Sequence, residues 1–216
     1  MRNRPETLAM ILAGGRVDEL NVLTFFRPKS AVPFGGLYRV IDFPLSNLMH
    51  SGLEKVAVLS QYRSYSLINH LAGGAAWDMV GRYRGVSVLP PFTGSEYSSW
   101  YNGTADAVYQ NLDFIQYHDP REVLILSGDH IYQMDYRPMI EYHRSHDADL
   151  TIAFTPISPG QASRYGVAEL AGNDDDEGGR LLDYQEKPES SQYGWASMTV
   201  YCFKPAVLYE ALSRFE

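Results

Sequence analysis

The 216-residue chain has a single cysteine, Cys202. That excludes an internal disulfide or a cysteine-built zinc site, and it suits a reducing compartment. Positive charge is also scarce, with a formal net charge of -8. This argues against a general nucleic-acid binder, which would show a basic face, but leaves room for a local basic pocket. No apolar run is long enough to span a bilayer. The opening MRNRPETLAM has no long apolar stretch or small-residue cleavage site, so no signal peptide is expected. The six histidines, His50, His70, His118, His130, His143 and His146, have no Ser or Cys partner arrangement. Nucleophile-plus-base catalysis is therefore not indicated. His143 and His146, three apart on a predicted helix, are expected to be exposed. The composition is that of a soluble, cytoplasmic globular domain: 45% hydrophobic residues suffice for one sizeable core, and 13% aromatics exclude low complexity.

Four runs rich in Val, Ile and Leu read as buried strands: LAMILAG (8–14), KVAVLSQ (55–61), EVLILSGD (122–129) and ADLTIAFTP (148–156). FPLSNLMHSG (43–52), RSYSLINHLAG (63–73) and MIEYHRSHDA (139–148) alternate with them at helical spacing. TADAVYQNLDFIQYH (104–118) predicts one helix with Ala107, Val108, Asn111, Leu112 and Ile115 on a single face. This order implies an α/β fold with a Rossmann-like, mainly parallel but mixed sheet flanked by helices, and ligands bound beyond the carboxyl ends of the strands. ILAGG and ILSGD both sit at such ends. From Arg164 the chain turns to short alternating strands, RYGVAEL, RLLDYQEKP and WASMTVYCF, a small β-rich part. The acidic NDDDEGG (173–179) is expected to be a turn. KPAVLYEALSRFE reads as a helix without a terminal cap, as if cut from something longer, so residues 1–216 are expected to form one domain short of its natural end.

The loop after the first strand raises a question. Gly14 and Gly15 suit a phosphate-binding turn, yet Val17, Asp18 and Glu19 follow where glycine and positive charge would be expected. Asp129, at the end of the third apolar run, is either a turn former or a hard oxygen ligand for Mg²⁺ on a triphosphate. Gly103 permits a tight turn, and Thr104 is placed to cap the helix that follows, with or without a binding role. Arg27, Lys29 and Arg39, among prolines and the Gly35-Gly36 turn, make either an anion site or surface charge. Glu186 and Lys187 are neighbours on a strand, so only one of them should enter a given pocket.

The ordered set LAGG, PKSAVPFGGLYR, DFPLSN, SQY, WYNGTADAVYQNL, LSGDHIY, RYGV, QEKP and ASMTVYCF resembles glucose-1-phosphate adenylyltransferase, or ADP-glucose pyrophosphorylase, of the sugar nucleotidyltransferases. The resemblance runs from Ala9 to about Phe203. It implies a nucleotide-diphospho-sugar transferase fold whose small β-rich part binds the sugar. The implied reaction is ATP plus α-D-glucose 1-phosphate giving ADP-glucose and pyrophosphate, for glycogen biosynthesis, with Mg²⁺ as cofactor. By the same resemblance, Leu12, Ala13, Gly14 and Gly15 cradle the nucleotide, and Gln61, Gly103, Thr104 and Ala105 frame adenine and ribose. Asp129 binds the metal and Lys29 sits near the phosphates, the two catalytic positions. Tyr101, Gly166, Glu186, Lys187 and Ser197 bind glucose 1-phosphate. Family members add a β-helix domain and assemble as tetramers, with no nucleic-acid or membrane partner.

Three departures stand against the family pattern. Val17 and Glu19 replace a glycine and an arginine of the loop. Phe26 replaces a cation of the effector site. The family's second metal-binding aspartate lies beyond residue 216. A degraded loop is also what a non-catalytic regulatory subunit would carry, and that is the alternative reading.

Overall fold

Three of the four apolar runs fold as strands covered on both faces, whereas the fourth, within 148–156, is a strand that is only partly buried, contrary to expectation. The computed structural model describes residues 5–15, 18–81, 84–91, 100–158, 160–171 and 178–214, the side chains of residues 18 and 19 excepted. Contacts divide the chain into two units, residues 1–151 with 201–216, and residues 152–200.

In the first unit, β1 (Thr7–Leu12) leads through a small hairpin, β2 (Pro33–Phe34) and β3 (Tyr38–Arg39), to α1 (Asp42–His50). Gly35 and Gly36 turn that hairpin at φ of 60° and 93°, a region glycine occupies without a steric penalty. Then follow β4 (Lys55–Leu59), α2 (Tyr65–Leu71), β5 (Gly85–Leu89), α3 (Thr104–Tyr109), α4 (Leu112–His118), β6 (Glu122–Ser127) and α5 (Arg137–Ser145). β1 pairs in parallel with β4 on one side and β6 on the other, and β4 pairs in parallel with β5. The order β5-β4-β1-β6 means the chain winds outward from β1 and then returns to its other side. The reversal at β1 is a topological switch point, where the strand ends part and a crevice opens.

Leu8 and Met10 on β1, Ala57 and Leu59 on β4, and Val123 and Ile125 on β6 pack with residues of α3, α4 and the last helix into one core. The alternate residues Ala9, Ile11, Val56, Val58, Leu124 and Leu126 point the other way and are equally buried. Each fully buried Leu or Ile of this kind contributes about 1.5–3 kcal/mol.

The helix expected over 104–118 is two helices. Asn111, buried between them, donates its side-chain amide to the Ala107 carbonyl at 2.8 Å and to the Tyr101 hydroxyl at 2.9 Å. An asparagine that takes a carbonyl four residues back competes with the helix at that point. Nor does Thr104 cap α3. Gly103 holds the cap position at φ 129°, and Asp106 reaches back to the Asn102 amide at 2.7 Å. His143 departs from its expected exposure too: it is buried, with Nδ1 2.8 Å from Thr151 Oγ1, while His146 is exposed.

β7 (Leu150–Pro156) leads into the second unit, which contains β8 (Gly166–Ala171) and β9 (Arg180–Glu186), paired antiparallel with Gly166 opposite Glu186. Most of the acidic turn between them, residues 172–177, lies outside the described residues. β10 (Trp195–Phe203) pairs antiparallel with β8 through Trp195–Ala168 and Ala196–Val167, then runs on into the first unit, where α6 (Pro205–Ser213) follows. Cys202 is fully buried, and burial pushes its thiol up to about 12, so it is an inert core residue. No helix among the described residues is long and apolar enough to cross a membrane.

Candidate active site

Two groups of residues stand out, one in each unit. In the first, the register Leu12–Ser127 brings the ends of β1 and β6 level, so the LAGG and SGD turns sit side by side at the switch point. Gly128 is required there for space. A Cβ on it would lie 2.8 Å from Ile11 Cγ2 and 3.0 Å from the Leu12 carbonyl oxygen, which accepts the Gly128 amide at 2.9 Å. The next residue, Asp129, therefore leaves the sheet at a fixed place.

Asp129 is held by three neighbours. Ser127 Oγ donates to Oδ1 at 2.5 Å, Lys29 Nζ lies 2.9 Å from Oδ2, and His130 Nε2 lies 3.5 Å from Oδ1. Burial works against its charge, but the Ser127 hydroxyl and the Lys29 ammonium outweigh it and hold the carboxyl below the usual carboxylate range. The group is ionised at neutral pH. Its side chain remains 30% exposed, accessible to a ligand. Lys29 sits in a single 3-10 turn, residues 29–31, between Pro28 and the hairpin. Of the other two cations on that segment, Arg39 is committed to structure through the Ser66 carbonyl at 2.7 Å and Ser66 Oγ at 2.8 Å. Arg27 lies close enough to oppose its charge.

Ala13 is buried and anchored, its amide on the Leu59 carbonyl and its own carbonyl accepting from Ser30 and Ser60. Gly14 lies against Gln61, and a Cβ on the exposed Gly15 would meet none of the described residues within 4 Å, so the turn presents bare backbone. Gln61 makes a two-way clamp on the backbone of Tyr101, accepting its amide at 2.7 Å and donating to its carbonyl at 3.2 Å. Gly103, Thr104 and Ala105 follow two to four residues later and are exposed. The Tyr101 hydroxyl, by contrast, donates to the Leu89 carbonyl at 3.1 Å and accepts from Asn111, with the residue 7% exposed. Its phenol is part of the core and is not turned toward a ligand. Val17 and the side chain of Glu19 lie outside the described residues. Phe26 is exposed, with the Arg63 guanidinium 5.4 Å over its ring.

The second group lies on neighbouring strands. Gly166 faces Glu186 across β8 and β9, and Ser197 on β10 follows Ala196, which pairs with Val167. Lys187 adopts φ 45°, and its amide donates to the Tyr165 carbonyl at 3.0 Å. This left-handed residue breaks the strand alternation, so Lys187 Nζ lies 3.7 Å from Glu186 Oε1. The expectation that only one of the pair could serve a pocket is thereby corrected. Both heads stand on the same side, each more than 60% exposed. Alternation arguments fail at a residue with positive φ, which the sequence around a lysine does not announce.

Sequence reasoning missed Ser127 and Tyr184, whose hydroxyls hold Asp129 and Glu186. Each precedes its carboxylate by two residues: Tyr184 and Glu186 share one face of β9, while Ser127 ends β6 and Asp129 lies in the turn just beyond it. A cavity of about 400 Å³ opens at the opposite ends of β1 and β4, beside Thr7 and Lys55. Its arginines are occupied, Arg137 by Asp135 and Arg144 by Glu122, so it offers little to an anion.

Residues 8–216 match the family model for nucleotidyl transferases. The chain is 47% identical to a glucose-1-phosphate adenylyltransferase of Lachnospira eligens, over 99% of this chain and 49% of the relative. It is 49% identical to one of Thermomicrobium roseum, over 97% of this chain and 48% of the relative, and 46% identical to one of Desulfitobacterium hafniense, over 99% and 52%. The chain thus spans about half the length of these curated relatives. A parallel sheet with its switch point at β1, a fixed aspartate beside a glycine turn, and a match over nearly every residue lead to one conclusion: this chain belongs to the nucleotidyl transferase family.

Proposed function

We propose that the protein transfers AMP from ATP to α-D-glucose 1-phosphate, releasing pyrophosphate and forming ADP-glucose for glycogen synthesis. The observation that carries this reading is the ionised Asp129, paired with Lys29, beside the bare Gly14–Gly15 backbone. A phosphate oxygen of the sugar phosphate attacks the α-phosphorus of ATP, the bond from that phosphorus to the bridging oxygen breaks, and pyrophosphate leaves. No proton need be removed from the attacking oxygen, which agrees with the lack of a nucleophile–base pair. Catalysis is then positioning and charge neutralisation.

In this account Leu12 to Gly15 lie along the nucleotide, with Gln61 and residues 103–105 at its base and ribose. Glu186 accepts from sugar hydroxyls, and Lys187 takes the phosphate as a point charge, with Gly166 and Ser197 beside them. Tyr101 contributes through its clamped backbone rather than its phenol. Asp129 suits Mg²⁺: it is one ionised carboxylate, and no group of three or more acidic, His or Cys side chains forms a protein cage among the described residues. That ion commonly takes one or two carboxylates and completes its shell with phosphates and water. When bound, Mg²⁺ would neutralise charge on the departing pyrophosphate. A tetramer in the cytoplasm completes the reading, in keeping with the buried reduced Cys202. The names of the relatives do not favour a purely regulatory role.

Comparing ATP, UTP and GTP as co-substrates of glucose 1-phosphate tests the assignment. ATP should be used at least tenfold better than either. Equal or better use of UTP would overturn it.

A further inference from the structure

We propose that Tyr184 is a positioning residue for sugar recognition: its hydroxyl holds one oxygen of the Glu186 carboxylate over Gly166, so that the other, on the Lys187 side, is set to accept from a sugar hydroxyl. The proposal rests on the reading of Glu186 as a sugar-binding residue. Tyr184 and Glu186 are two apart on β9 and share a face. The phenol donates to Glu186 Oε2 at 3.1 Å.

The ring reaches that place only because residue 166 has no side chain. A Cβ there would lie 1.8 Å from the Tyr184 hydroxyl oxygen, 2.5 Å from its ring carbon and 2.8 Å from Glu186 Oε2. Gly166 is not among the glycines with positive φ, so the need is for space rather than for a special backbone shape. The glycine of RYGV and the glutamate of QEKP are thus linked through the tyrosine hydroxyl.

The tie matters because Glu186 is 63% exposed. A glutamate so open samples several rotamers, and a ligand must select one of them. A hydrogen bond already made in the free protein restricts that choice before binding, which improves affinity through preorganisation. It also divides the carboxylate. Oε2 is turned to Tyr184, while Oε1 lies toward Lys187 at 3.7 Å, the side where a phosphate would be neutralised. The opposite face of β9 offers an internal control. There Tyr193 donates to Asp183 Oδ2 at 2.7 Å, a similar contact with no sugar-binding neighbour assigned to it.

The test is steady-state kinetics on the natural full-length polypeptide, with glucose 1-phosphate and its 2-, 3-, 4- and 6-deoxy analogues. Tyr184→Phe keeps the ring and removes the hydroxyl. It should raise KM for glucose 1-phosphate about three- to tenfold with kcat within about twofold, the effect of one hydrogen bond. For the deoxy analogue lacking the hydroxyl that Glu186 accepts, the same substitution should change KM little. Tyr193→Phe should leave all constants as they are. If Glu186→Gln fails to raise KM, the sugar-binding reading itself is wrong. If Glu186→Gln raises KM and Tyr184→Phe does not, or if Tyr184→Phe acts equally on every analogue, the positioning role is overturned.

Discussion

Lys29 Nζ stands 2.9 Å from Asp129 Oδ2, joining the proline-flanked segment before the hairpin to the end of the central strand β6. The ammonium does two things at once. It keeps the carboxylate ionised, and it puts a cation where the phosphates of a nucleotide would be handled. In the proposed function, this pairing keeps a partly buried aspartate ionised, as a Mg²⁺ ligand must be.

That pairing sets a pH dependence. The folded Asp129 carboxyl lies below its ordinary value of 3.8, so its contribution to stability is complete above that pH. It is lost as pH falls through the lower, folded value. Asp129→Asn should therefore be less stable than the parent at pH 7, and the gap should narrow below about pH 3.8. Urea unfolding at both ends of that range reads the difference. A gap that widens on acidification would contradict the assignment.

Gly128→Ala should destabilise the protein by about 1–3 kcal/mol, the usual cost of overpacking. The added methyl meets the Leu12 carbonyl oxygen at 3.0 Å and Ala13 Cβ at 3.2 Å, next to the Gly14–Gly15 turn. Activity should fall further than stability alone explains. Denaturation midpoint and kcat measured on the same variant separate the two effects.

Glu122 is buried at 2% exposure and takes both ends of the Arg144 guanidinium, at 2.8 and 2.9 Å. Arg144→Met should cost about 1.5–3 kcal/mol, because it removes the two-point partner of a buried carboxylate and leaves it, among the described residues, only Arg121 Nε and the Thr7 hydroxyl, each at 3.2 Å. The double variant Glu122→Gln, Arg144→Met should recover a substantial part of that loss. Chemical denaturation of the single and double variants checks the coupling.

Thr199, a β-branched residue inside β10, has φ 55°. L-residues pay about 1–2 kcal/mol for the left-handed region. Glycine occupies it freely but gives back part of the gain in the unfolded chain. Thr199→Gly should stabilise the protein by about 0.5–1 kcal/mol, seen as a higher urea midpoint. The amide of residue 199 would keep its bond to Ser197 Oγ, now 3.2 Å.

The central strands were legible because a strand buried on both faces must be continuously apolar, and LAMIL, KVAVL and EVLIL have few other uses. β5, GVSVL, was missed: it is short, partly exposed and bounded by Gly85 and Pro90. The break at Asn111 was hidden because a helical apolar pattern survives across it, and only the tertiary contact to Tyr101 shows what the side chain prefers. The turns at Gly14 and Asp129 could be placed from strand ends alone. The second group could not be assembled that way: Glu186 and Lys187 come together through positive φ at a lysine, and Gly166 is explained by a ring two residues from its strand partner.

The most direct test of the account is Mg²⁺-dependent formation of ATP from ADP-glucose and pyrophosphate by the natural full-length polypeptide, with Asp129→Asn beside it. The account predicts activity in the parent and a loss of at least about a hundredfold in the variant, the scale of removing a group that stabilises transition-state charge. Equal activity in parent and variant, or none in the parent while ADP-glucose still binds, would contradict it.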